Sequence, residues 1–286
     1  MNLIVGKLAG FCGGVINSIN KTNELLDKYD ELYCLGELVH NKQVVEELED
    51  KGLIFIDDLS QVPYGSKVII RAHGVPSSVY EDAFSKKIEL FDLTCPKVLA
   101  IHELAKKLVE KDYFIVLIAQ KDHPEAIGTI SFCGINSLIV ECVDDIDLLE
   151  ECYEKSKIKK IAVISQTTFS VKKFNDICEV INSQFDNVDV YNTICMATSK
   201  RQEETDKLSK KVDAMIIIGG ANSSNTKKLY EIAKNNNGNT FIIQTVDELV
   251  DKDFSMYREI GVMAGASTPQ KSIDDVVAYL KAVNKS

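Results

Sequence analysis

Three cysteines stand where an apolar, strand-like run gives way to a helical one: Cys12 in "LAGFCGGV", Cys95 in "DLTCPKV" and Cys195 in "NTICMATSKRQ". Twenty-eight residues after each come His40, His123 and Ser223, again at strand ends before helices. A third set, His73, Thr167 and Ser267, follows 33, 44 and 44 residues further on. A thiol near a helix start ionises more readily, which suits it as a metal ligand. Three of them together allow a Cys₃ zinc site or an iron–sulfur cluster with three cysteine ligands. Taken singly, each thiol reads as a small buried turn residue; the shared spacing favours the metal.

The polar positions suit an anion. His40, His73 and His123 are three of four histidines, all at strand ends beside helix starts. "NSSN" brings Ser223, Ser224 and Asn225 to another helix start, where capping and phosphate binding use the same geometry. Glu125, two residues after His123 in "DHPE", reads either as a charge favourable to the helix dipole or as a proton donor. His102 lies inside the helical run "LAIHELAKKL" and reads as structural. Cys34, Cys133, Cys142, Cys152 and Cys178 fall within strand-like or helix-like runs and read as packing residues.

The elements that must carry these residues alternate. Runs such as "KVIIRA", "YFIVLIA", "KKIAVIS", "AMIIIGG" and "EIGVMAG" are each followed by a polar turn and a 3.6-period helix, the α/β pattern with largely parallel sheets. Short strands with acidic turns, "LIFIDDL", "LIVECVDDIDLL" and "FIIQTVDELV", recur between the second and third sets. One order of features repeated three times predicts three similar α/β units, 1–95, 96–194 and 195–286, in a pseudo-threefold arrangement. Functional edges of parallel sheets lie at the carboxyl ends of the strands, so the nine positions are expected to face one central cavity.

Composition narrows the classes further. The chain has 286 residues, is 45% hydrophobic and carries a net charge of −10 without a basic block, which disfavours nucleic acid and requires a local cluster of donors for any anion. No apolar stretch approaches a membrane span and no signal peptide is evident, so a soluble, cytoplasmic protein is expected. Eight cysteines without a CxxC pair, in a chain with ample core, favour a reducing compartment over a disulfide framework.

Together, "GFCGGV", "LVHNKQVVEEL", "RAHGV", "DLTCPKV", "HPEAIGT", "SQTTFSV", "NTICMATSKRQ", "NSSNTKKL" and "MAGASTP" resemble, in order from residue 9 to 269, the 4-hydroxy-3-methylbut-2-enyl diphosphate reductase family of the non-mevalonate isoprenoid pathway. The resemblance implies reductive dehydroxylation of (E)-4-hydroxy-3-methylbut-2-enyl diphosphate to isopentenyl and dimethylallyl diphosphate. It implies a central [4Fe-4S] cluster held by Cys12, Cys95 and Cys195, with one iron open to the substrate oxygen. Glu125, with Thr167 as relay, would supply a proton. His40, His73, His123, Ser223, Ser224, Asn225 and Ser267 would grip the diphosphate, and a ferredoxin or flavodoxin would supply electrons. Some relatives carry fused RNA-binding modules; none is expected here. Ala221 before "NSSN" departs from the basic residue common in relatives, and Ala126 after Glu125 from a common valine. Two other readings of the residues remain, a Cys₃ zinc hydrolase with Glu125 as base and a diphosphate sensor without turnover.

Overall fold

The computed structural model describes residues 1–283. The first third of the chain forms β1 (Asn2–Val5), α1 (Gly13–Leu26), β2 (Leu32–Leu35), α2 (Lys42–Asp50), β3 (Leu53–Ile56), β4 (Lys67–Ile70), α3 (Ser77–Ser85) and β5 (Glu89–Asp92). Next come α4 (Pro96–Glu110), β6 (Phe114–Ile118), α5 (Pro124–Ile130), β7 (Ser137–Val140), α6 (Ile146–Ser156), β8 (Ile161–Ser165), α7 (Val171–Gln184) and β9 (Val188–Val190). The last third forms α8 (Met196–Ser209), β10 (Ala214–Ile218), α9 (Ser224–Asn236), β11 (Thr240–Ile243), β12 (Glu259–Ala264) and α10 (Gln270–Val283).

The strands make three four-stranded parallel sheets, ordered β3-β2-β4-β5, β7-β6-β8-β9 and β11-β10-β12-β1. The order is the same in all three, as the repeat requires. Membership differs from the sequence division in one respect: β1, read as part of 1–95, pairs with β12 in register Asn2 to Glu259. The reason is an edge. β5 and β9 close the first two sheets after their third strands, whereas β12 is followed by α10, so the third sheet takes its closing strand from the other end of the chain.

Burial follows from these positions. Inner strands β6, β8 and β10 are buried throughout, while the closing strands β1, β5 and β9 are partly exposed. Alternate β6 side chains enter two cores. Phe114, Val116 and Ile118 pack with Phe174, Ile177 and Ile181 of α7, and Ile115 and Leu117 with Ile101, Ala105 and Leu108 of α4. β10 does the same between α10 and the pair α8 and α9.

The three acidic turns are 3-10 turns with one device. Gln61, Asp145 and Glu248 each turn back to accept backbone N–H groups at the turn entrance, from Asp57 and Asp58, Glu141 and Cys142, and Gln244 and Thr245. This satisfies donors that a helix start leaves open. Cys142, expected as a packing residue, is exposed at one of these entrances.

Two compact units result. One comprises Met1–Ile16, Val39–Glu47 and the described part of Met196–Ser286; the other comprises Asn17–Leu38 and Leu48–Cys195, and contains the first two sheets. Among the described residues no helix is long and apolar enough to cross a membrane.

Candidate functional site

Each of the three cysteines occupies the same local position. The Cys95 N–H donates to the carbonyl of Ala72 (2.9 Å), that of Cys195 to Thr167 (3.0 Å) and that of Cys12 to Ala266 (3.0 Å). Those acceptors lie two residues past the ends of β4, β8 and β12, and each cysteine follows the closing strand of that sheet and directly precedes a helix. All three are half-buried. Gly13, directly after Cys12, is exposed, and a Cβ there would meet no atom beyond its chain neighbours and its own helix within 4 Å.

The second set keeps register too: His40, His123 and Ser223 each lie five residues beyond the ends of β2, β6 and β10. Their local roles differ. Ser223 caps α9, accepting from the Thr226 N–H at 3.3 Å. His123 caps α5, its Nδ1 accepting from the Glu125 N–H at 3.1 Å. A ring nitrogen that accepts a hydrogen bond carries no proton, so the proton of the neutral ring sits on Nε2. At α2 the cap is Asn41 instead, accepting from Val44 at 3.2 Å, and His40 lies one residue before that cap.

The third set keeps the order but not one register. His73 and Ser267 lie three residues past β4 and β12, but Thr167 lies two past β8. Thr167 therefore matches Ala72 and Ala266, while Thr168 matches His73 and Ser267. The spacing of 44 residues conceals this, because loop lengths between the second and third sets are free to vary; the cysteine hydrogen bonds reveal it.

In the unit containing Cys95 and Cys195, Glu125 is buried at the start of α5. Its Oε1 accepts the Thr167 N–H (2.6 Å) and its Oε2 the Thr167 hydroxyl (2.7 Å). Burial pushes the carboxyl up to about 7, against the two Thr167 hydrogen bonds that pull it down. Thr167 thus holds the carboxyl with its donors and the Cys195 amide with its acceptor. The His73 and His123 rings meet edge to face, with centroids 5.5 Å apart.

In the other unit, the His40 carbonyl accepts the Ser267 hydroxyl (3.2 Å), and Gly220 approaches it so closely that a Cβ there would lie 2.4 Å from that oxygen. Ser223, Ser224 and Asn225 are buried at the start of α9. Both polar atoms of the Asn225 amide are buried without a hydrogen-bond partner. A native chain seldom leaves an amide so placed unless a ligand completes it.

His102 and Cys34, read as structural, are both buried. His102 is buried and stacked on Phe132, and burial, helped by Lys106, lowers it to about 4, so it stays neutral. Cys34 is buried in β2, donates to the Gly36 carbonyl at 3.2 Å, and is pushed up to about 12 by burial despite Arg71; it lacks the thiolate character a metal ligand requires.

A family model described as LytB protein matches residues 3–281. The 4-hydroxy-3-methylbut-2-enyl diphosphate reductase of Caldanaerobacter subterraneus subsp. tengcongensis is 40% identical over 287 residues, 99% of this chain and 98% of that protein. The solved Plasmodium falciparum E-1-hydroxy-2-methyl-but-2-enyl-4-diphosphate reductase is similar with a TM-score of 0.92 and 32% identity, covering 99% of this chain and 89% of that one. A solved (E)-4-hydroxy-3-methyl-but-2-enyl diphosphate reductase, described as the terminal enzyme of the non-mevalonate pathway, is similar with a TM-score of 0.71 and 37% identity, covering 99% and 100%.

Proposed function

The chain belongs to the LytB family of 4-hydroxy-3-methylbut-2-enyl diphosphate reductases, a family of oxidoreductases, and we propose that it removes the allylic hydroxyl of (E)-4-hydroxy-3-methylbut-2-enyl diphosphate. Two electrons and two protons enter, the allylic C–O bond breaks, and water leaves with isopentenyl or dimethylallyl diphosphate. The electrons come from a ferredoxin or flavodoxin type donor in the reducing cytoplasm.

The observation that carries this reading is the buried Glu125, bonded twice to Thr167, whose carbonyl holds the Cys195 amide. A carboxyl poised at about 7 holds a proton at neutral pH and can release it, as a general acid must. Neither a structural metal nor a phosphate grip requires such a group. In this reading Glu125 protonates the departing hydroxyl, and Thr167 keeps the carboxyl aimed. No second side-chain acid is evident among the described residues, and in this reading the substrate's diphosphate supplies the proton to the allyl carbon.

Cys12, Cys95 and Cys195 hold a [4Fe-4S] cluster. Three half-buried thiols in one structural register, each directly before a helix, suit that group. When bound, the cluster supplies the electrons and an iron open to the hydroxyl oxygen. His40, His73, His123, Ser223, Ser224, Asn225 and Ser267 bind the diphosphate. The orphaned Asn225 amide and the α9 start give an acidic chain a local attraction for a strongly anionic substrate.

Anaerobic purification followed by visible and Mössbauer spectra, with and without substrate, tests the proposal. A brown protein in which one iron site changes with substrate supports it; a colourless zinc protein, or four irons indifferent to substrate, refutes it.

A further inference from the structure

The loop from β1 to Cys12 has a problem that the other two cysteine loops do not. Two residues separate β5 from Cys95 and four separate β9 from Cys195, and each has a polar brace, at the end of β5 in one case and within the loop in the other. Asp92 accepts the Thr94 N–H at 2.9 Å, and Thr193 bonds both the N–H and the carbonyl of Ser165. Six residues separate β1 from Cys12, Gly6 to Phe11, and their only polar side chain is that of Lys7, a donor. Their backbone groups must find partners elsewhere.

The Gly6 N–H finds the Val262 carbonyl and the Ala9 N–H the Gly6 carbonyl, and helix α8 provides four further bonds. The Glu204 carboxylate accepts the N–H groups of Lys7 (2.7 Å) and Leu8 (2.9 Å). Arg201, one turn earlier, donates from Nε to the Leu8 carbonyl (2.7 Å) and from Nη2 to the Gly10 carbonyl (3.0 Å). Arg201 is 3% exposed, and the stripe α8 buries, Thr198, Arg201, Gln202, Thr205, Leu208 and Ser209, is mostly polar. A helix that buries hydrogen-bonding groups in place of an apolar face is fixing backbone as well as filling a core. Gly10, at φ +96, takes a turn that only glycine enters freely, with Ile273 Cδ1 3.1 Å from where its Cβ would stand.

We propose that Arg201 and Glu204 are positioning residues for Cys12: they lock the loop that sets where its thiol points. The inference rests on the reading of Cys12 as a cluster ligand. It predicts that loosening the clamp affects the cluster while the fold remains intact.

The test uses the full chain with Glu204→Gln, which keeps the side-chain shape but leaves one oxygen for two N–H groups, and Arg201→Lys, which keeps the charge but loses the planar fork. Hydrogen exchange at the Lys7 and Leu8 amides in Glu204→Gln is expected to rise about tenfold, the scale of one lost charged hydrogen bond. After anaerobic reconstitution, both variants are expected to release the cluster to a chelator about tenfold faster, with shifted Fe–S modes in resonance Raman spectra and a melting temperature lowered by only about 2–4 °C. Release rates and Fe–S modes equal to the parent's overturn the proposal, whether or not the amides exchange faster. Cys12→Ser, run alongside, separates the two failures. If it keeps a normal cluster, the ligand reading falls. If it loses the cluster while both clamp variants behave as the parent does, only the clamp falls.

Discussion

Replacing Glu125 with glutamine changes one proton and little else. The amide keeps the volume, its oxygen still accepts the Thr167 N–H, and the Thr167 hydroxyl can turn to accept from the new NH₂. In the folded chain burial raises the carboxyl from 4.5 to about 7. At about 1.4 kcal/mol for each pH unit, that gap corresponds to roughly 3 kcal/mol. Because the folded value lies above the unfolded one, stability from the protonated carboxyl is fully present below pH 4.5 and is lost as pH rises through about 7. The parent should therefore weaken by roughly 3 kcal/mol relative to Glu125→Gln between pH 4 and pH 8, read from paired urea unfolding curves of the cluster-free chain. In the loaded enzyme, kcat should fall by about 10²- to 10⁴-fold, the usual contribution of a general acid. A stability difference flat with pH would refute the buried, neutral carboxyl, and unchanged turnover would refute the proton donor.

Thr167→Val removes the hydroxyl that pulls the Glu125 carboxyl down, so the inflection in the same pH series should move upward. Serine at Cys12, Cys95 or Cys195 should abolish the visible absorbance of the cluster together with activity, whereas Cys34→Ser should leave both intact. Ser223→Ala should destabilise the chain by about 1 kcal/mol through the lost helix cap and raise KM, measured by thermal melting and steady-state kinetics. Gly220→Ala, whose Cβ would press on the His40 carbonyl, should raise KM and lower the melting temperature.

The recurring strands were legible because inner parallel strands must be apolar on both faces; "YFIVLIA" and "AMIIIGG" can hardly be anything else. The 28-residue spacing was legible for a related reason: the loops from β2, β6 and β10 to His40, His123 and Ser223 have one length. What the chain hides is non-local. Nothing in "NLIV" says that it pairs with β12, since partner choice lies in sheet edges that exist only after folding. The one-residue shift at Thr167 is invisible where loop length varies. "SKRQEETDKL" carries the charges of a solvated helix, and only the bare backbone of Gly6 to Phe11 explains why Arg201 is buried.

The pairing of β1 with β12, 257 residues apart, also orders events in time. A ribosome adding about 5–20 residues per second releases β12 roughly 13–50 s after β1. The first two sheets can pair as they emerge, since all their strands are consecutive. The third waits for β12, and the amide of Cys12 has no Ala266 carbonyl to meet until residue 266 has emerged. Vectorial synthesis thus makes Cys12, the first cysteine translated, the last of the three to meet its backbone partner, which a nascent chain lacks until residue 266 is made.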